Sequence, residues 1–420
     1  MKVLITGLCL QGNKGGPAIA LSLKNQIERQ TGKMNFIFSV PHGSDYPLER
    51  AWAIRYGVNE LENYTIKDIL PPFCFRAFPR GIKRFYKWFK VFLSVDAVVE
   101  MSAISYVGPP IQSTIRTFLS GRLHYFLLAW FTRKPFFAWT QSMGPFSSKP
   151  VRFFACMDLK RQPIVFCRGV ETLSAVNKML PGKDARSYPD VAVTLDYSTD
   201  WGKNYLNRLW PSINQEKMIT LSPSSVIHGK TIHNNNEISQ HIEDVVGIIH
   251  NLEKRGYHLL MVPHTVRPNK PYPIVCDLAL CKLIKQKVGD CGNLKIVLED
   301  LCPKEIKSII SCAHIHIGAR FHSIVAALST GVPCIAQSWH HKYRDIMRMY
   351  GMEKYVHESV VDTSSKNLIK LVEDLEEEYV RYKKLNSQKQ SIVVEQIIEN
   401  AKLFGQLLKG VPVEMSSLHQ

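Results

Sequence analysis

The feature that most restricts this chain is a repeated alternation of apolar runs and helical patterns. KVLITGL (2–8) reads as a buried strand, and GNKGG follows it as a loop. Pro17 suits a first helical turn, and AIALSLKNQIERQ continues with helical periodicity. The next apolar run is MNFIFSV (34–40). Strand, loop, helix, strand is the βαβ signature of a parallel sheet. DAVVEMSA (96–103), PFFAWTQSM (135–143), PIVFCR (163–168) and ARSYPDVAV (185–193) read as further strands or strand ends. A polar stretch, about Asp196 to Lys217, interrupts the series. The alternation then restarts: strand MITLSPS (218–224), a helix over 238–256, strands YHLLMVPH (257–264) and LKIVLED (294–300), helix PKEIKSIISC, strand HIHIG (314–318), helix FHSIVAALST, strand PCIAQS (333–338). Charged helical sequence closes the chain.

A chain of 420 residues is too long for one ordinary core. The expected fold is α/β, two Rossmann-like domains facing a cleft, in the glycosyltransferase-B-like manner. The expected domains are 1–200 and 201–420, divided at the polar stretch, with the last helix returning to the first domain.

The formal charge of +17 favours anionic partners. Between Ile69 and Val95 there is no acid, while Arg76, Arg80, Lys83, Arg84, Lys87 and Lys90 alternate with aromatic residues. Ile82, Phe85, Phe89 and Phe92 fall at helical spacing. The segment 73–93 therefore reads either as an amphipathic helix in peripheral membrane contact or as a core-packed helix with solvated cations. No RNA-binding motif accompanies it, so no nucleic-acid partner is expected. The longest apolar run, LHYFLLAWF (123–131), is too short to span a bilayer. MKVLITGLCL runs into GNKGG and reads as a strand, not a signal peptide. The ten cysteines form no C-x-x-C pair, so reduced thiols and a cytoplasmic location are expected, at most peripheral to a membrane.

Ligands of open α/β sheets sit at the carboxyl ends of strands. Three stretches occupy such ends. The loop Gly12-Asn13-Lys14-Gly15-Gly16 is neither a dinucleotide fingerprint nor a Walker A loop. It reads as a Gly-rich approach to a helix N-terminus that favours an anion, or as a tight turn. Arg168 closes PIVFCR. It either faces the cleft or lies exposed and paired with Glu171. In HIHIGARFHS, Arg320 falls at the strand-to-helix turn and His322 in the first helical turn. An anion there meets a helix dipole of about 0.3–1 kcal/mol and a charge-assisted Arg hydrogen bond of about 1.5–3 kcal/mol, so the Arg dominates. His322 reads as structural or as a proton donor. His264, at the end of YHLLMVPH, is a further candidate, followed by His228, His340, His341 and Lys342. No carboxylate or third His completes a metal site around His340 and His341, so no metal is expected.

IGARFHSIVAALSTGVPCIAQSWHHKYRDIM resembles the C-terminal signature of the polysaccharide pyruvyl transferases, Gly-x-Arg-hydrophobic-His, a helix, then Gly-Val-Pro. The resemblance extends in order through GNKGGPAIA, TQSMGPF, VFCRGVETLSAV, YPDVAVTLD and MVPH. It implies transfer of enolpyruvate from phosphoenolpyruvate to sugar hydroxyls of a polysaccharide or its precursor, free or lipid-linked, forming a pyruvate ketal and releasing phosphate. Phosphoenolpyruvate is then the donor substrate, with no cofactor or metal. The family's donor-binding residues carry over onto Arg168, Arg320, Phe321 and His322, with His322 as general acid; Asn13, Lys14, Gly15 and His264 join them as substrate-binding candidates. The chain departs from the family at Gly16, where an Asp is usual, and at Met101-Ser102-Ala103, where paired Gly is usual. The rival readings are a sugar-nucleotide-dependent glycosyltransferase of the same architecture and a non-catalytic relative. Against the first, no carboxylate lies between Gly318 and Gly331.

Overall fold

The computed structural model describes residues 1–41, 46–58, 60–64, 78–102, 104–106, 122–232, 239–359 and 365–410. They form two compact α/β units. The first comprises residues 1–11, 19–190 and 396–420, the second residues 12–18 and 191–395. The change of unit thus falls between Asp190 and Val191. The polar stretch beyond it is no linker. It holds the helix Thr199–Leu209, capped by the Ser198 hydroxyl, which accepts the Trp201 N–H, and buries Tyr205 and Leu206. Gly202 faces Ser308 so closely that a β-carbon would lie 2.1 Å from its carbonyl oxygen. Charged residues on the outer face of this helix hide its buried stripe from a composition-based reading.

The strands are, in chain order, β1 (Lys2–Thr6), β2 (Asn35–Pro41), β3 (Glu60–Tyr64), β4 (Ala97–Glu100), β5 (Ile104–Ser105), β6 (Phe136–Ala138), β7 (Ser142–Met143), β8 (Val165–Arg168), β9 (Ala185–Tyr188), β10 (Met218–Ser222), β11 (His258–Met261), β12 (Leu294–Ile296), β13 (Ile315–Gly318), β14 (Cys334–Gln337) and β15 (Val356–His357). The first unit carries a parallel sheet in the order β3-β2-β1-β4-β6. The second carries β12-β11-β10-β13-β14-β15, also parallel. Two parallel pairs, β5–β7 and β8–β9, complete the first unit. Burial explains the strand sequences. β4, β8, β10, β13 and β14 are buried at every position, as expected of strands covered on both faces.

In the first unit the helix Phe78–Ser94 buries Trp88 and Phe92 against Tyr125, Phe126 and Ala129 of the helix Arg122–Phe131. Tyr86, Lys87, Lys90 and Leu93 face outward. Over residues 86–93 the helix is therefore core-packed with solvated cations; residues 73–77 and the side chains of 78–85 lie outside those described. At the chain's end, Phe404 of the helix Tyr379–Leu408 is fully buried and packs edge-on against Phe137, Trp139 and Phe166 of the first unit.

Candidate active site

In the second unit, β10 lies between β11 and β13, so the chain leaves β10 toward one side of the sheet and returns on the other. The crevice at the carboxyl ends of β10 and β13 is the topological switch point, where such sheets bind ligands. Arg320 sits there. Gly318 ends β13, and a β-carbon on it would lie 2.4 Å from Ser323 Oγ and 2.5 Å from His316 Nε2. Only glycine lets the chain turn this tightly into the helix Phe321–Ser329. Arg320 is the N-cap residue, with extended backbone and no capping bond from its side chain.

The Arg320 guanidinium is held by a carboxylate that sequence reading missed. Its Nε donates to Asp277 Oδ2 at 2.8 Å and its Nη2 to Oδ1 at 2.5 Å. Nη2 also donates to Ser225 Oγ at 2.7 Å. Asp277 opens the helix Asp277–Val288, is fully buried, and accepts the Ser225 N–H at 2.9 Å. Burial pushes the Asp277 carboxyl upward, but the Arg320 charge, its hydrogen bonds and the Ser225 N–H outweigh that and hold it below the usual carboxylate range. The bidentate geometry fixes the plane of the fork and leaves the two Nη1 hydrogens outside these bonds. One signal was available: Asp277 is the only carboxylate between Glu253 and Asp290.

His322 follows in the first helical turn, with Phe321 edge-on to it at 5.2 Å. The Gly-rich loop packs here, because residues 12–18 belong to the second unit. Asn13 bridges to Thr265, and the Lys14 N–H donates to the His264 carbonyl at 3.0 Å. Asn13 Oδ1 accepts the Gly15 N–H at 3.0 Å. Lys14 is buried and its Nζ lies 2.5 Å from Asp300 Oδ1. Gly15 lies directly against the His322 ring. His264 is buried with no hydrogen-bond partner at Nδ1 among the described residues, and burial pushes its pKa down to about 3. It is a neutral ring.

Lys14, His264, His322 and Lys307 line a small cavity of about 20 Å³, together with apolar residues that include Val325 and Ala326. Its polar lining is nitrogenous throughout, with no carboxylate among the described lining residues. Lys307 donates to the Val193 and Leu195 carbonyls, both at 2.9 Å, and burial pushes its pKa down to about 7. Lys307 was not among the sequence candidates. Its neighbours Lys304 and Glu305 disguise it as part of a solvated helix.

Arg168, in the first unit, ends β8. It is buried rather than exposed. Its Nη1 donates to Asp190 Oδ2 at 2.6 Å, its Nε to Ser142 Oγ at 3.1 Å, and it is 3% exposed. Asp190 belongs to YPDVAV and Ser142 to TQSMGPF, so these stretches hold one guanidinium in place.

Among the secondary candidates, Lys342 lies over the Phe321 and Trp339 rings at 5.0 and 4.9 Å. His228 Nδ1 is 2.7 Å from Ser239 Oγ, and burial lowers its pKa. The His340 and His341 rings lie together at 4.2 Å, and His341 approaches Asp345 at 3.4 Å. No group of three or more His, Cys, Asp or Glu able to hold a metal occurs among the described residues.

Two parallel α/β units, with an Arg–His pair at a switch point, define an α/β protein of glycosyltransferase-B-like fold. Solved structures share it. MnaA of S. aureus with UDP is similar over 99% of this chain and 99% of its own, at 12% identity and a TM-score of 0.62. Anabaena HepE with UDP matches over 98% and 100%, at 11% and 0.58. The UDP-GlcNAc 2-epimerase of Neisseria meningitidis with UDP-GlcNAc matches over 95% and 100%, at 13% and 0.56. At such identities the likeness shows the fold alone. No curated protein matches the chain. The family model described as polysaccharide pyruvyl transferase matches residues 13–341. The chain belongs to the polysaccharide pyruvyl transferase family and is a transferase.

Proposed function

We propose that this enzyme transfers the enolpyruvyl group of phosphoenolpyruvate to a pair of hydroxyls on a glycan or lipid-linked glycan precursor. The products are a cyclic pyruvate ketal and inorganic phosphate. The carrying observation is the pairing of a rigidly tethered Arg320 with His322, beside a pocket whose polar lining is Lys14, His264, His322 and Lys307. The Nη1 edge of the tethered Arg320 fork suits an anionic group of a small acid.

Arg320 Nη1 holds an anionic group of the donor, and His322 delivers a proton to the methylene carbon. The resulting oxocarbenium-like C2 is attacked by one sugar hydroxyl, which loses its proton. Phosphate departs with its bonding electrons and one proton. A second hydroxyl attacks C2 and loses its proton, closing the ketal. Two protons are released by the hydroxyls; one replaces that given by His322 and the other leaves on phosphate. Arg168 is a further donor-binding residue on this reading, and no metal or other cofactor takes part. The enzyme works in the cytoplasm, where phosphoenolpyruvate is made. Among the described residues no helix is long and apolar enough to cross a membrane.

The second reading, sugar-nucleotide-dependent transfer, draws on the nucleotide-bound neighbours of the same fold. One assay separates the two. Full-length protein is given defined glycans with either phosphoenolpyruvate or a UDP-sugar. Phosphate release with an acid-labile carboxyethylidene on the glycan supports the proposal; UDP release without phosphate release overturns it.

A further inference from the structure

The charge excess has a second location that the donor site does not use. Between Met101 and Cys167 eight lysines and arginines share the sequence with one carboxylate, Asp158. Asp158 is buried, with Oδ2 2.6 Å from Arg122 Nε, and it accepts the Gln162 amide at Oδ1. Its charge is therefore neutralised inside the first unit.

The helix Arg122–Phe131 ends in two adjacent aromatic residues left in solvent. Trp130 is 50% exposed and Phe131 71% exposed. Their rings lie 5.4 Å apart, and the exposed Arg161 guanidinium sits 5.0 Å over Trp130. The chain then turns through Arg133, at φ +54°, into Lys134, Pro135 and β6. These residues rim a groove of about 460 Å³ open to solvent. On the neighbouring helix Lys149–Leu159, Phe153 is 64% exposed, with Lys149 and Arg152 exposed beside it.

We infer that the groove rimmed by Trp130, Phe131, Arg133, Lys134 and Arg161 docks the first unit onto an anionic lipid bilayer. The two rings enter the interfacial layer and the three cations meet lipid phosphates. Phe131 decides between partners. Its ring has no hydrogen-bonding atom, and with the adjoining Trp130 ring it forms an exposed aromatic patch that gains by entering an apolar phase. A ring of flanking cations favours a negatively charged phase. This surface is distinct from the segment 73–93, whose Trp88 and Phe92 are already buried.

The test is co-sedimentation of the full-length protein with vesicles of phosphatidylcholine and phosphatidylglycerol, against phosphatidylcholine alone. Binding is expected at low salt, to anionic vesicles only, and is expected to fall as salt rises. Trp130→Ser with Phe131→Ser should lower the partition constant at least about tenfold, as should Arg133→Glu with Lys134→Glu. Lys87→Glu with Lys90→Glu, on the helix Phe78–Ser94, should lower it less. Phosphate release with a soluble acceptor should stay at wild-type levels in all three, so failure here is separable from failure of the donor chemistry. No binding to anionic vesicles at low salt overturns the inference. So does loss of binding in the Lys87/Lys90 variant alone.

Discussion

Gly15 lies so close to the imidazole of His322 that a β-carbon on it would come within 2.2 Å of Nδ1. A glycine in the amino-terminal loop thereby fixes the orientation of a ring more than three hundred residues away in the sequence. The ring cannot tilt toward the loop, and no other residue type leaves it in place.

Gly15→Ala is therefore expected to displace the His322 ring and lower kcat by about tenfold to a hundredfold, up to the low end of what lost general acid catalysis costs. KM for phosphoenolpyruvate should change less. His322→Ala should show the same pattern more strongly. Steady-state kinetics on both variants checks this, and unchanged turnover in either would remove the ring from the proton transfer.

Asp277→Asn leaves Arg320 as a partly buried cation without its counter-charge. Breaking such a pair is expected to cost about 3–5 kcal/mol of folding free energy, read by urea denaturation. Under conditions where the variant stays folded, KM for phosphoenolpyruvate should rise, because the fork loses its fixed plane. Arg320→Lys should behave like Arg320→Ala, since an ammonium cannot span both Asp277 oxygens. Full activity in Arg320→Lys would show that the geometry of the fork is dispensable.

Arg168→Ala is expected to raise KM for phosphoenolpyruvate at least about tenfold, the loss of one charge-assisted hydrogen bond. Asp190→Asn should weaken donor binding by a smaller factor by loosening the same guanidinium. A KM unchanged in both would assign Arg168 to the packing of the first unit.

Burial pushes His241, His264 and His316 each down to about 3. Their folded values lie below the unfolded value of about 6.5, so the unfolded chain binds more protons between those limits. Stability is complete above pH 6.5 and is lost as the pH falls toward 3. Each site contributes a slope of at most about 1.4 kcal/mol per pH unit. Urea denaturation at pH 7 and pH 5 should show a drop of several kcal/mol; equal stability would exclude neutral burial of these rings.

Much of this was legible in the primary structure. The β13 turn announced itself because an all-apolar run, HIHIG, meets Arg and His at a helix start, and that pattern depends on neighbours in the chain. Asp277 did not, because it meets Arg320 across 43 residues and only the folded sheet brings them together. The Gly-rich loop was recognised, but its allegiance was not. Its bonds to the His264 carbonyl and Asp300 are tertiary. Segment 73–93 showed its amphipathic pattern but not its direction, since Trp88 and Phe92 could equally have faced lipid. For these two residues the packing against Tyr125 and Phe126 decides it.

The chain passes between its two units four times, after residues 11, 18, 190 and 395. No single cut can yield two intact halves. A fragment beginning at Val191 would lack Lys14 and Gly15, and with them both the ammonium beside Asp300 and the stop against which His322 rests. A fragment ending at Asp190 would lack Phe404, leaving a vacancy among Phe137, Trp139 and Phe166. Dissection of this enzyme into separately expressed parts should therefore yield inactive pieces, with activity returning only on co-expression, and fusion partners belong at the ends of the chain.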